Sequence, residues 1–159
     1  MKKTIILGIG NILLSDEGFG VKAVTALDEK YKLSEGAEFL DGGTLGMDLI
    51  PYLSEAQRLV ILDCIQGGGE PGDVYDFRGE AVNLYFQNAV SLHDIGIQQV
   101  LAILQVLETP LEEVVVLGVQ PLSLDVGMEL TDPVSVQLEP ICKKTLQLLA
   151  EWQVEVTMR

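Results

Sequence analysis

Apolar and polar positions follow one another along this chain in blocks whose lengths match strands and helices. Thr4 to Leu7 predicts a short strand, and Gly20 to Tyr31 predicts an amphipathic helix with Val21, Val24 and Leu27 on its apolar side. Ala37 to Leu40 predicts a second strand, closed by Asp41-Gly42-Gly43, with Thr44 capping a helix that runs to about Leu53. Arg58 to Asp63 contains Leu59-Val60-Ile61-Leu62, an unbroken apolar run of the kind expected where both faces of a parallel sheet are covered. Gly67 to Gly72 reads as a loop, and Val74 to Phe77 as an edge strand before a polar connection to Val90. A helix from His93 to Leu107, a strand from Val114 to Val119 and a final helix from about Val134 to Trp152, kinked at Pro140, complete the pattern. Strands alternating with helices at this spacing predict one α/β domain spanning residues 1–159, a three-layer sandwich with a mostly parallel sheet and helices on both faces.

Composition narrows the partners. Twenty-four acidic against ten basic residues give a net charge of −14, which repels nucleic acid and the anionic surface of a membrane. An apolar content of 48% is too high for a disordered acidic chain. Lys2-Lys3 and the apolar residues after them imitate a secretory signal, but Gly8, Gly10 and Asn11 interrupt the run, and Ser15-Asp16-Glu17 stands where a small-residue cleavage site would be needed. Cys64 and Cys142 form neither a disulfide framework nor a metal-binding pair, which predicts a cytoplasmic protein with free thiols. Between Asp94 and Leu130 there are six acids and no Lys or Arg, a surface that either serves solubility or docks a basic partner.

In open α/β sheets ligands bind beyond the carboxyl ends of the strands, and here those ends are acidic. The first strand leads through Gly8-Ile9-Gly10-Asn11 to Asp16 and Glu17, the second ends at Asp41, the third at Asp63, and the last at Gln120-Pro121. Asp16 reads as a solvated loop charge beside Glu17. His93, the only histidine, lies in Ser91-Leu92-His93-Asp94, a capping-box spacing that opens a helix. Two carboxylates and an imidazole are a donor set for a metal centre with an open coordination position, which makes Glu17, Asp63 and His93 candidate ligands. Each has a plainer reading as a cap, turn or surface residue. Asp41 is likewise a candidate base or a turn acid bonded to the Gly42-Gly43 backbone, and Asn11 a substrate contact or a turn residue. Cys64 reads as a buried small apolar group, and Met47 and Met128 as core or rim packing. A dinucleotide fingerprint is incomplete, because Leu13 stands where the third glycine is required.

Taken together the motifs resemble the hydrogenase maturation endopeptidases, which trim the C-terminal extension of the large subunit of nickel-iron hydrogenases. The resemblance runs through Gly8 to Gly18, Asp41-Gly42-Gly43-Thr44-Leu45-Gly46, Leu62-Asp63, Ser91-Leu92-His93 and Gly118-Val119-Gln120-Pro121, with Gly127-Met128-Glu129-Leu130 as a further echo. It implies a twisted five-stranded sheet, and it places Glu17, Asp63 and His93 on the family's metal-binding positions. It also implies that the nickel arrives with the substrate, although another divalent ion could occupy the site in the isolated protein. If the ion only positions the precursor, Asp63 or Asp41 is the catalytic carboxylate, whereas an ion that polarises the scissile carbonyl or a water makes the hydrolysis metal-assisted; Asn11, Gly42, Gly43 and Gln120 contact the substrate. The expected partner is the hydrogenase large-subunit precursor, met by a monomeric enzyme. Two other functions fit parts of the pattern, a non-catalytic metal-sensing chaperone of that subunit and a nucleotide-binding domain. The site residues are expected at a solvent-accessible rim, where replacing them would leave stability nearly unchanged.

Overall fold

The computed structural model describes residues 3–82 and 111–159. Five strands form the central sheet: β1 (Thr4–Ile9), β3 (Ala37–Gly43), β4 (Arg58–Cys64), β5 (Val74–Arg78) and β6 (Glu113–Val119), in the order β3-β1-β4-β6-β5. Every pairing is parallel except that of β5, which closes the edge antiparallel to β6. Leu7 of β1 lies between Leu40 of β3 and Ile61 of β4. The α/β sandwich and its five strands therefore follow the sequence pattern.

Because side chains alternate across a pleated sheet, the apolar runs of β1, β4 and β6 supply two cores at once. Ile6, Val60, Leu62, Leu117 and Val119 face α1 (Phe19–Lys30) and the last helix (Leu138–Glu151), meeting Phe19, Ala23, Leu27, Ile141 and Leu148. Ile5, Leu7, Ile61 and Val116 face the other way and meet Leu49 and Leu53. Gly8 and Gly20 let α1 lie directly on β1, since a Cβ on Gly8 would stand 2.3 Å from the Gly20 carbonyl oxygen.

Three local expectations are corrected. The helix expected from Thr44 is instead a 3-10 turn (Gly46–Leu49) followed by a single helical turn, α2 (Ile50–Leu53), so Thr44 lies outside its start. The last helix is two pieces, α3 (Asp132–Ser135) and α4 (Leu138–Glu151). The break falls at residues 136–137, because Pro140 has no N–H for the Val136 carbonyl and its ring crowds that group. Pro140 thereby sits in the first turn of α4, where no N–H is needed. Finally, Tyr31 starts a short strand, β2 (Tyr31–Leu33), which pairs antiparallel with β7 (Val156–Met158).

α4 ends by a double backbone closure: the Val154 N–H donates to the Leu149 carbonyl at 2.9 Å and the Gln153 N–H to that of Ala150 at 3.0 Å. Gln153 takes the left-handed conformation this stop requires, at φ 62°. No helix among the described residues is long and apolar enough to cross a membrane. The helix expected from His93 to Leu107 lies outside the described residues, as do His93, Ser91 and Asp94.

Candidate active site

The loop after β1 builds the rim of the site. Gly10, at φ 136°, turns the chain so tightly that a Cβ there would stand 1.9 Å from the Glu17 carbonyl oxygen, so only glycine fits. The side chain of Asn11 accepts the Leu13 N–H at 2.9 Å, the turn role among its two readings. A 3-10 turn (Ser15–Gly18) then carries Asp16 and Glu17 into α1. That turn packs against β4. How closely the two segments approach is visible at Gly20, whose Cβ would meet the Leu62 carbonyl oxygen at 2.0 Å and that of Ile9 at 2.5 Å. Glu17 precedes Gly20 by three residues and Asp63 follows Leu62, so both carboxylates belong to one end of the sheet.

Both are more enclosed than the sequence suggests. Asp63 is 0% exposed and Glu17 6%, which corrects the expectation of freely accessible rim groups. Asp63 accepts the Cys64 N–H at 2.8 Å, and Cys64 itself is a buried member of the α1-side core.

Asp16 is the residue whose role the sequence hid. It is fully buried, not solvated. One carboxylate oxygen accepts the N–H groups of Leu122 and Ser123 at 2.9 and 3.1 Å and the Thr131 hydroxyl at 2.8 Å; the other accepts the Thr131 N–H at 2.8 Å. Burial by itself would raise its pKa, but the hydrogen bonds from Thr131, Ser123 and Leu122 together hold it below the ordinary carboxylate value. Around it the two loops are laced further. Ser15 donates its hydroxyl to the Asp125 carbonyl at 2.6 Å and its N–H to that of Gly127 at 2.8 Å, while the Gly127 N–H reaches the Leu13 carbonyl at 2.9 Å. Ser15 holds a left-handed backbone, φ 53°, within this lattice. Local sequence carries no trace of this network, whose members are more than a hundred positions apart.

The remaining candidates stand at the same end of the sheet: Asp41 pairs with Gly8, whose other partner Leu62 precedes Asp63, and Gln120 follows Val119, the partner of Cys64. Asp41 is exposed, and its carboxylate accepts the Gly43 N–H at 3.0 Å. It lines a pocket of about 290 Å³ with Val24, Thr25, Asp28, Glu29 and Phe39. Gly42 is a packing residue whose Cβ would stand 2.6 Å from the Leu7 side chain, and Gly43 takes φ 46°. The Gln120 side-chain oxygen accepts the N–H of Gly67 at 2.9 Å, that of Gly69 at 3.2 Å and the Tyr75 hydroxyl at 2.7 Å, fixing the glycine-rich loop. Among the described residues no three His, Cys, Asp or Glu side chains are grouped so as to hold a metal ion. Of the three expected ligands, Glu17 and Asp63 fall within the described residues and His93 outside them.

A family model described as hydrogenase maturation protease matches residues 21–148. This chain belongs to the hydrogenase maturation protease family. The hydrogenase expression/formation protein HupD of Bradyrhizobium diazoefficiens is 42% identical over 159 residues, covering 99% of this chain and 83% of the relative. The hydrogenase 2 maturation protease of Escherichia coli is 37% identical over 158 residues, covering 99% of this chain and 96% of that protein. Among solved structures, the hydrogenase maturating endopeptidase HybD from E. coli superimposes with a TM-score of 0.93 at 37% identity over 100% of this chain and 98% of the other. The nickel-iron hydrogenase maturation protease HybD from Thermococcus kodakarensis does so at 0.77 and 31% identity, over 93% and 99%. Like these relatives, this maturation protease is a peptide-bond hydrolase.

Proposed function

We propose that this maturation protease removes the C-terminal extension of the large subunit of a nickel-iron hydrogenase, and that it recognises nickel already carried by that substrate. The observation that carries the reading is the folding of the Glu17 turn over the end of β4, which brings two largely buried carboxylates, Glu17 and Asp63, to one rim in a protease of this family. Carboxylates are the oxygen donors that a divalent cation attracts, and an opposite charge beside them favours their ionised form. Glu17, Asp63 and His93 are assigned as the groups that close on the substrate's ion. Oxygen and nitrogen donors compete poorly with cysteine thiolates for such an ion, so the enzyme inspects it without extracting it.

In the reaction a water oxygen adds to the scissile carbonyl carbon, the C–N bond breaks, and the proton lost by the water ends on the leaving amine nitrogen. Asp63 is assigned as the carboxylate that moves that proton, and the ion either orients the peptide or polarises its carbonyl. Asp41, an exposed acid whose side chain is bonded to its own turn, is the comparison residue. The test is to incubate the protein with nickel-loaded and nickel-free precursor and weigh the products. Shortening of the loaded precursor alone is expected; a loaded precursor that keeps its full mass overturns the proposal. Asp63→Asn, which preserves shape, should abolish cutting, whereas Asp41→Asn should retain it.

A further inference from the structure

Among the described residues, the loops around the Glu17 and Asp63 rim carry most of the exposed apolar side chains. Among the described residues nine large apolar groups are exposed, and six of these, Ile12, Leu13, Leu45, Leu122, Val126 and Met128, lie on the loops that follow β1, β3 and β6. The other three, Tyr52, Val136 and Met158, are separated along the chain. Val126 is 88% exposed and Met128 63%, values that packing within the chain does not explain.

These loops form one continuous lip. The Gly10 N–H donates to the Gly43 carbonyl at 2.9 Å, which joins the loop after β1 to the loop after β3. Leu14 and Gly127 form a backbone bridge, and Asp16 holds Leu122, Ser123 and Thr131, which joins the loop after β1 to the loop after β6. The lip is therefore built before any partner arrives, and little ordering entropy would be lost on binding. In a chain of net charge −14, a cluster of exposed apolar groups opposes solubility and marks a contact surface. Residues 120–131 include Asp125 and Glu129 and no Lys or Arg, and the one cation bonded to this segment is Lys22, whose ammonium donates to the Met128 carbonyl among the described residues.

We propose that this lip is a docking surface for the precursor, fitting a segment that presents apolar side chains next to lysine or arginine. The inference rests on the proposed processing function, because the lip borders the rim assigned to catalysis. Apolar contact supplies the affinity, and Asp125 and Glu129 select basic neighbours and speed encounter.

Three proteins test it: wild type, the triple variant Leu122→Ser/Val126→Ser/Met128→Ser, and the double variant Asp125→Asn/Glu129→Gln. Processing rates give KM and kcat, calorimetry gives Kd for the loaded precursor, and sedimentation gives the oligomeric state. The triple variant should raise KM and Kd by about tenfold or more while leaving kcat and the melting temperature nearly unchanged. The double variant should weaken binding at low salt and flatten its salt dependence. Unchanged KM and Kd in the triple variant would overturn the docking proposal, as would a fall in kcat alone. A wild-type dimer that the triple variant dissociates, with KM unaltered, would assign the lip to a second copy and also overturn it. Wild type that binds the precursor without cutting it would defeat the protease reading, while Kd would still decide the docking surface. Should the triple variant melt early, Val126→Ser alone, at the most exposed position, gives the same comparison.

Discussion

The ends of β1 and β3 offer the same signal in sequence, glycines followed or preceded by an acid, yet they have opposite physical characters. After β1, Asp16 is sealed from water and receives four hydrogen bonds from the loop beyond β6. At the end of β3, Asp41 is exposed and its side chain is bonded to the N–H two residues on. The first acid ties distant parts of the chain together, and the second shapes only its own turn. An acid at a strand end thus has no fixed meaning; the number of distant donors around it sets its role.

The sharpest way to break this contrast is Asp16→Leu. It leaves the N–H groups of Leu122, Ser123 and Thr131 without their acceptor, and should cost about 3–5 kcal/mol in urea unfolding and abolish processing. Next comes Gly10→Ala, whose new Cβ collides with the Glu17 carbonyl at a backbone angle alanine avoids; a loss of about 2–3 kcal/mol is expected from the same measurement. Acid titration should reveal the same difference without mutation. Asp16 has a lowered folded-state pKa, so its contribution is complete above the ordinary carboxylate value of 3.8 and disappears as pH falls through the lower folded value. Stability followed below about pH 4 should drop more steeply in wild type than in Asp16→Asn. The smallest effect belongs to Asp41→Ala, which removes a solvent-exposed bond and should shift stability by no more than about 1 kcal/mol. A loss as large as that of Asp16→Leu would erase the distinction between the two ends.

These contrasts also show which features were legible in the chain. The run Leu59 to Leu62 announced a central strand because both of its faces are covered, and the strand-end positions of Glu17 and Asp63 singled them out before any coordinates. The small β2–β7 sheet escaped notice, since three residues per strand are too few to show a period. The interruption at 136–137 was written in Pro140 but displaced by four residues, the distance over which proline removes a hydrogen bond. Asp16 was misread as solvated because its partners, Leu122 to Thr131, come from the far side of the chain, and proximity of that kind leaves no local pattern.

The pairing of β7 with β2 has a practical consequence for handling the protein. β2 begins where α1 ends, and Arg159 is fastened there by its N–H to the Lys30 carbonyl at 2.9 Å and by an ion pair with Asp28 at 2.9 Å. Twelve helical residues separate that point from the Glu17 turn, roughly 18 Å along the axis. A tether or fluorophore carried at Arg159 would project from the end of α1 opposite the Glu17 turn, so an immobilised protein would present that turn outward to the solution.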